Sequence, residues 1–300
     1  MNTTKYIWMD GKFKKWNDSK IHIFTHSLHY GGAVFEGLRV YNTPDGPVIF
    51  RLKDHIKRFF YSANAIGIKI PFSQKQMSED AVKLVKRNKI KSGYLRPIAY
   101  YGYGKMGLCP LGAKVNVSMF ALGFASYLGG DAIKVGITKF IRIHPNTTDI
   151  NAKITGHYAN SIMASLEVHK AGYDEALFLD YKGNVAEGPG ENIFIVKNGV
   201  LYTPPSDNIL AGFTRDSIIT VSKDIGYKVI EKHFKPKDIY NSDEAFFTGT
   251  AAEITPIGYL DNKKIGSGTI GPVTKKLKDD YMDVVRGRNS KYRKWLTYVN

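Results

Sequence analysis

The sequence predicts an α+β protein of two domains. Short strand-like runs alternate with separate helices, and hairpins dominate the strand connections. A small-residue stretch with a Gly-Gly pair also interrupts the pattern at 124–130. The expected division is a small α/β domain over 1–123, an interdomain loop over 124–130 and a large domain over 131–300.

Taken in order, Tyr6-Ile7-Trp8-Met9, Asp10-Gly11 and Lys12-Phe13 read as an opening hairpin, because Asp-Gly suits a type I′ turn. A helix is expected from Lys53 to Ala65, with Ile56, Phe59, Phe60 and Ala63 on one stripe. Another runs from Gln74 to Lys89, where Met77, Ala81, Leu84 and Val85 form the apolar face. Ser73 is its N-cap, and Gln76 completes a capping-box pattern. Strands follow at Tyr94–Tyr101, Asn116–Leu122 and Ile133–Phe140, then an irregular stretch from Pro145 to Gly156. The helix expected from His157 to Lys170 places Tyr158, Ile162 and Leu166 at four-residue steps, close to one face. Hairpins are expected at Lys182-Gly183-Asn184 and Lys197-Asn198-Gly199. After them come a helix over Thr214–Ile225, strands near Tyr227–Ile230, Glu244–Thr248 and Glu253–Tyr259, and a last helix from Val273 to Val285.

Composition narrows the function classes. With 300 residues and 43% apolar content, the chain can bury a sizeable core. No apolar run approaches the roughly 18 residues of a membrane span, and the N-terminus lacks the apolar stretch of a signal peptide. A cytoplasmic location is expected. The single cysteine, Cys109, excludes an intrachain disulfide and any multi-cysteine metal site. The net charge of +16 raises the prospect of nucleic-acid binding, but the lysines are scattered rather than gathered into one arm. Gly102-Tyr103-Gly104-Lys105-Met106-Gly107 matches the letters of a dinucleotide fingerprint, yet Leu108-Cys109-Pro110 is a poor opening for the required helix. His22, His26 and His29 match no metal-site spacing, and no metal is expected.

Three kinds of segment carry chemistry. In Asn151-Ala152-Lys153-Ile154-Thr155-Gly156 a lysine sits among small and apolar neighbours, where it can lose its proton and attack carbonyls. Ala186-Glu187-Gly188-Pro189-Gly190-Glu191-Asn192 puts two carboxylates in a tight loop, which reads by itself as a charged turn facing water or, functionally, as a carboxylate aimed at a ring nitrogen. Gly212-Phe213-Thr214 and Gly249-Thr250-Ala251-Ala252 are small-residue turns with N–H groups and hydroxyls that can hold a phosphate. Together they suggest a phosphorylated carbonyl cofactor.

These residues lie in runs that resemble the branched-chain-amino-acid aminotransferases, enzymes of pyridoxal 5′-phosphate (PLP) fold type IV. The runs are His29-Tyr30-Gly31 with Val34-Phe35-Glu36-Gly37-Leu38-Arg39, His55-x-x-Arg58, Tyr94-Leu95-Arg96-Pro97, Asn151-Ala152-Lys153, Glu187-Gly188-x-Gly190-Glu191-Asn192, Gly212-Phe213-Thr214-Arg215 and Gly249-Thr250-Ala251-Ala252-Glu253-Ile254-Thr255-Pro256. The resemblance spans the chain from about Tyr6 to the end and keeps the family's order.

The resemblance implies a two-domain fold with mixed sheets and a transfer of the amino group of L-leucine, L-isoleucine or L-valine to 2-oxoglutarate, giving L-glutamate, in ping-pong fashion. Lys153 would carry PLP and later move the proton between Cα and C4′. Glu187, rather than Glu191, would hold the pyridine nitrogen protonated, and Tyr158 would hydrogen-bond the ring's phenolic oxygen. Arg58, Thr214 and Thr250, with backbone N–H near Phe213, would bind the phosphate. Thr250-Ala251-Ala252 and the Tyr94 hydroxyl would hold the substrate α-carboxylate, and Arg96 the distal carboxylate of glutamate. Phe35, Tyr30, Leu108, Phe124 and Tyr127 would form the apolar pocket, with Tyr30 and Leu108 supplied by a second subunit of a homodimer or larger homo-oligomer. Phe124 departs from the tryptophan common in similar bacterial enzymes, which bears on size preference. The alternatives of the same fold are a D-amino-acid aminotransferase and an aminodeoxychorismate lyase. The early Phe35-Glu36-Gly37-Leu38-Arg39 run and the Tyr94/Arg96 pair favour the branched-chain reading.

Overall fold

The computed structural model describes residues 3–124 and 132–299. The chain forms two compact units. The first comprises residues 1–125, a short return at 152–156 and the C-terminal 284–300; the second comprises 126–151 and 157–283. The expected 124–130 loop therefore lies almost wholly outside the described residues, as does Tyr127.

In the first unit, β1 (Tyr6–Met9) and β2 (Lys12–Lys15) form the opening hairpin. They are followed by α1 (His26–Tyr30), β3 (Ala33–Phe35), β4 (Leu38–Thr43) and β5 (Gly46–Phe50). Next come α2 (Leu52–Ala65), α3 (Gln74–Arg87), β6 (Gly93–Tyr101) and β7 (Val115–Gly123). The sheet is antiparallel, with β3 pairing β6. Ile56, Phe59 and Ala63 of α2 and Met77, Ala81, Leu84 and Val85 of α3 share one core with the sheet residues Val40, Leu95 and Met119. α3 buries the stripe that its spacing predicts, and α2 buries Ile56, Phe59 and Ala63 of its expected stripe, with Phe60 only partly buried at the edge of the core. Ser73 caps α3, its Oγ accepting the Gln76 N–H at 3.1 Å.

The second unit holds β8 (Ile133–Ile141), α4 (Tyr158–Lys170), β9 (Glu175–Leu179), β10 (Asn192–Lys197) and β11 (Val200–Thr203). It continues with α5 (Phe213–Asp224), β12 (Val229–Glu231), α6 (Pro236–Tyr240), β13 (Glu244–Gly249), β14 (Glu253–Leu260), β15 (Lys263–Lys264) and most of α7 (Pro272–Val285). Its sheet runs β12-β11-β10-β13-β14-β8-β9, antiparallel in the middle and parallel at β11/β12, β14/β8 and β8/β9. The α+β class with mixed sheets is what the structure shows. The first unit is completed by β16 (Leu296–Tyr298) on β5.

The Tyr158-Ile162-Leu166 face of α4 is turned away from the core: Ile162 is 59% and Leu166 55% exposed. The buried face is Ser161, Ala164 and Val168, packed with Ala176 and Phe178 of β9. Small residues there let the helix lie close to the sheet. The Lys182-Gly183-Asn184 turn reverses the chain as expected: Asp180 N–H donates to Asn184 O at 2.8 Å, Ala186 N–H to Phe178 O at 2.9 Å and Phe178 N–H to Glu187 O at 2.9 Å, and Leu179 bridges Val185. The Asp180 carboxylate also organises the turn, accepting the N–H groups of Lys182 and Asn184 at 2.8 Å each. No helix follows Gly107, so the 102–107 glycines belong to a loop. Among the described residues no helix is long and apolar enough to cross a membrane.

Candidate functional site

The lysine of the first unit is held by its backbone. Lys153 N–H donates to Ser62 Oγ at 2.8 Å, and Lys153 O accepts the Phe35 N–H at 3.1 Å. Ile154 bridges to Val34, while Thr155 Oγ1 donates to Gly31 O at 2.7 Å. The Lys153 ammonium, on a partly buried side chain, stands 5.1 Å from the centre of the Phe35 ring.

His55, Arg58 and Ser62 recur at three- and four-residue steps on α2, which puts them along one face. That face meets Glu36, which is fully buried. Glu36 accepts His55 Nδ1–H at 2.7 Å and the Arg58 fork at 2.5 and 3.0 Å. Burial works to raise the Glu36 pKa, but Arg58 and His55 overcome it and hold the carboxyl well below the usual range. Burial pushes His55 down, against the pull of Glu36. The outcome is an arginine oriented by a buried carboxylate.

On β6, Tyr94 and Arg96 point to the same side, two residues apart. Arg96 Nη2 donates to Tyr94 Oη at 3.0 Å, and its guanidinium lies 4.6 Å from the Phe35 ring centre. Phe124 packs on Tyr94 at 5.6 Å between ring centres. Arg39, opposite Tyr94 on β4, is buried and lies 4.9 Å from the Phe124 ring. Gly37 makes room for this cluster: a Cβ there would sit 1.8 Å from Tyr94 Oη. Phe35, Tyr94, Arg96, Phe124 and Lys153 are thus brought together. Tyr30 and Leu108 fall elsewhere, on α1 and on the loop between β6 and β7.

The second unit supplies a carboxylate of a different kind. Glu187 is 3% exposed and accepts Arg142 Nε–H at 2.6 Å, Asn192 Nδ2–H at 3.0 Å and the Leu210 N–H at 3.2 Å. All three partners are donors, one of them the partly buried Arg142 guanidinium. Glu191 folds back on its own loop, accepting the Gly190 N–H at 3.0 Å. Arg142 was not legible as a partner, because it lies 45 residues from Glu187 and no motif contains it. Asn192 could have been read from the Glu191-Asn192 run.

α5 begins at Phe213 after Gly212, with no side-chain cap. Its first N–H groups precede the ladder that starts with Asp216 N–H on Gly212 O. Thr214 is buried beside them. Thr250, Ala251 and Ala252 form the turn between β13 and β14, closed by Thr255 Oγ1 on Ala252 O at 2.8 Å. Tyr158 opens α4. Taken unit by unit, these features suit parts of PLP: in the first, a lysine held by its backbone suits the aldehyde; in the second, the start of α5 suits a phosphate and the buried Glu187 a ring nitrogen.

The family Amino-transferase class IV matches residues 33–259. A "Branched-chain-amino-acid aminotransferase" of Pseudomonas aeruginosa is 45% identical over 98% of this chain and 97% of its own length. One of Escherichia coli (strain K12) is 38% identical over the full length of both chains. The crystal structure of the branched-chain aminotransferase from the thermophilic archaeon Thermoproteus uzoniensis, with norvaline, superposes with a TM-score of 0.95 at 39% identity, covering 99% of this chain and 100% of that one. Another branched-chain amino acid aminotransferase, in a crystal structure complexed with N-(5′-phosphopyridoxyl)-L-glutamate, superposes with a TM-score of 0.97 at 42% identity over the whole of both chains. The chain belongs to the class IV aminotransferases, among the branched-chain-amino-acid aminotransferases.

Proposed function

We propose that this PLP-dependent transaminase moves the amino group of L-leucine, L-isoleucine or L-valine to 2-oxoglutarate in two half-reactions, with Lys153 as the catalytic base and cofactor anchor. The observation that carries the residue assignment is Glu187, buried and accepting hydrogen bonds from Arg142 and Asn192. PLP, when bound, supplies an electron sink for the pair left on Cα. Glu187 keeps the ring nitrogen protonated, and Tyr158 hydrogen-bonds the phenolic oxygen. Arg58, steadied by Glu36, binds the phosphate with Thr214, Thr250 and the N–H groups at Phe213. Lys153 then moves the proton between Cα and C4′.

Tyr94 and the Thr250-Ala251-Ala252 turn take the α-carboxylate, and Arg96 takes the distal carboxylate of glutamate. Phe35 and Phe124 line the aliphatic pocket, with Tyr127 and with Tyr30 and Leu108 of a second copy. The 81% exposure of Leu108 supports a homodimer or larger homo-oligomer. The single, exposed Cys109 suits a reducing cytoplasm.

The test is the visible absorption of the PLP-loaded enzyme. L-leucine should convert the cofactor band and 2-oxoglutarate should restore it, while D-alanine leaves it unchanged. A response to D-alanine alone would overturn the substrate assignment.

A further inference from the structure

We infer that His26 and Tyr30 clamp the Gly107 peptide, and that this clamp sets where Leu108 stands and so tunes the enzyme's preference among branched aliphatic side chains. The second half rests on the reading that Leu108 lines the substrate pocket. The loop between β6 and β7 is largely exposed: Tyr103, Met106, Leu108 and Leu111 are 59%, 54%, 81% and 77% exposed. Tyr103 packs on His22 and Phe24, and further along the loop polar contacts hold Gly107 from both sides. Gly107 N–H donates to Tyr30 Oη at 3.3 Å, and Gly107 O lies 2.8 Å from His26 Nε2. Tyr30 O–H in turn donates to Met106 Sδ at 3.3 Å.

His26 and Tyr30 are four residues apart on α1, so one helix face presents both groups. A carbonyl only accepts, so His26 Nε2 carries the hydrogen. Nδ1 is buried and has no hydrogen-bond partner among the described residues, so the ring is set by its Gly107 bond together with packing on Tyr30 and Tyr101, at 4.7 and 5.7 Å between ring centres. His26 is 2% exposed, and its own N–H donates to Gly102 O at 3.0 Å, so the histidine is itself fixed to the loop's root. Gly107 has φ +97°, which glycine adopts freely and an L side chain does not, so the hydrogen bonds of the clamp, rather than the backbone's own preference, hold the peptide just before Leu108.

Leucine and valine differ by one methylene, which a pocket discriminates by roughly 10- to 200-fold. A small displacement of Leu108 is therefore enough to change their ratio. His26 acts here as a positioning residue.

The experiment compares wild type, His26→Ala, His26→Gln and Gly107→Ala as PLP-loaded enzymes. Hydrogen exchange is read on the peptide spanning 103–112, and kcat and KM are measured for L-leucine and L-valine. His26→Ala should speed loop exchange about tenfold and shift the leucine-to-valine ratio of kcat/KM by at least threefold, mainly through KM. His26→Gln, whose amide N–H can reach the same carbonyl, should restore both. Gly107→Ala, which breaks the clamp from the loop side, should reproduce the shift if His26→Ala fails to fold. Unchanged loop exchange would overturn the clamp. Faster exchange with an unchanged ratio would overturn its link to specificity, and the exchange result stands even if the substrate reading fails.

Discussion

Arg142 shows what a single residue adds to the proposed chemistry. It places a cation 2.6 Å from the buried Glu187 carboxylate, in a unit where no sequence motif announces it. Replacing it by Met should leave PLP bound but lower kcat for L-leucine about tenfold, the size of one pKa unit of lost stabilisation. Steady-state kinetics and cofactor absorbance check this, and an unchanged kcat would remove Arg142 from the account. Glu36 matters for stability as well as for orienting Arg58. Its proton is bound more weakly in the folded chain than in the unfolded one, so it stabilises above about pH 4.5, its ordinary value, and this contribution is lost as pH falls below it. Thermal unfolding followed as a function of pH should show an acid limb that Glu36→Gln flattens. The same substitution should cost about 3 kcal/mol at pH 7, because it leaves Arg58 buried without its carboxylate. The proposed roles of Lys153, Glu187 and Arg58 come from short runs with a recognisable pattern. Their partners Ser62, Arg142 and Glu36 act across 91, 45 and 22 residues, which local pattern does not encode.

At the scale of elements, periodicity finds helices more easily than it finds which way they face. For α3 the apolar stripe and the buried stripe coincide, and for α2 they do apart from the partly buried Phe60. For α4 they do not, since Tyr158, Ile162 and Leu166 have helical spacing whether they turn inward or outward. What decides the matter is the close approach of α4 to β8 and β9, which favours Ser161 and Ala164 inward. Ala164→Leu should therefore cost about 1–3 kcal/mol by overpacking. Leu166→Ser should stay within about 0.5 kcal/mol, as an exposed position does. Thermal melts of both variants check this, and equal losses would contradict the orientation. The short strands β3, β4 and β5 escaped sequence reading because Glu36-Gly37 and Pro44-Asp45-Gly46 break them into pieces too brief for a period. Yet β3 is the element that carries Phe35 and pairs with the residues around Lys153.

Over the whole molecule, the composition of the two units is the part least visible from sequence. The glycine-rich stretch near 124–130 marks a change in local pattern. The return of 152–156 to the first unit rests on long-range pairing of Ile154 with Val34 and of Lys153 with Ser62, and the return of 284–300 rests on β16 joining β5. Neither pairing leaves a trace in neighbouring residues. The consequence is that the segment bearing Lys153 belongs to the first unit, while Glu187, the α5 N-terminus and the Thr250 turn belong to the second. The most direct test of the central claim is therefore to locate the cofactor on the chain. The PLP-loaded enzyme is reduced with borohydride, digested and mapped by peptide mass spectrometry. The account predicts a phosphopyridoxyl mass on Lys153, absent from Lys153→Ala. The same mass on a different lysine, or on none in the reduced wild type, would contradict it.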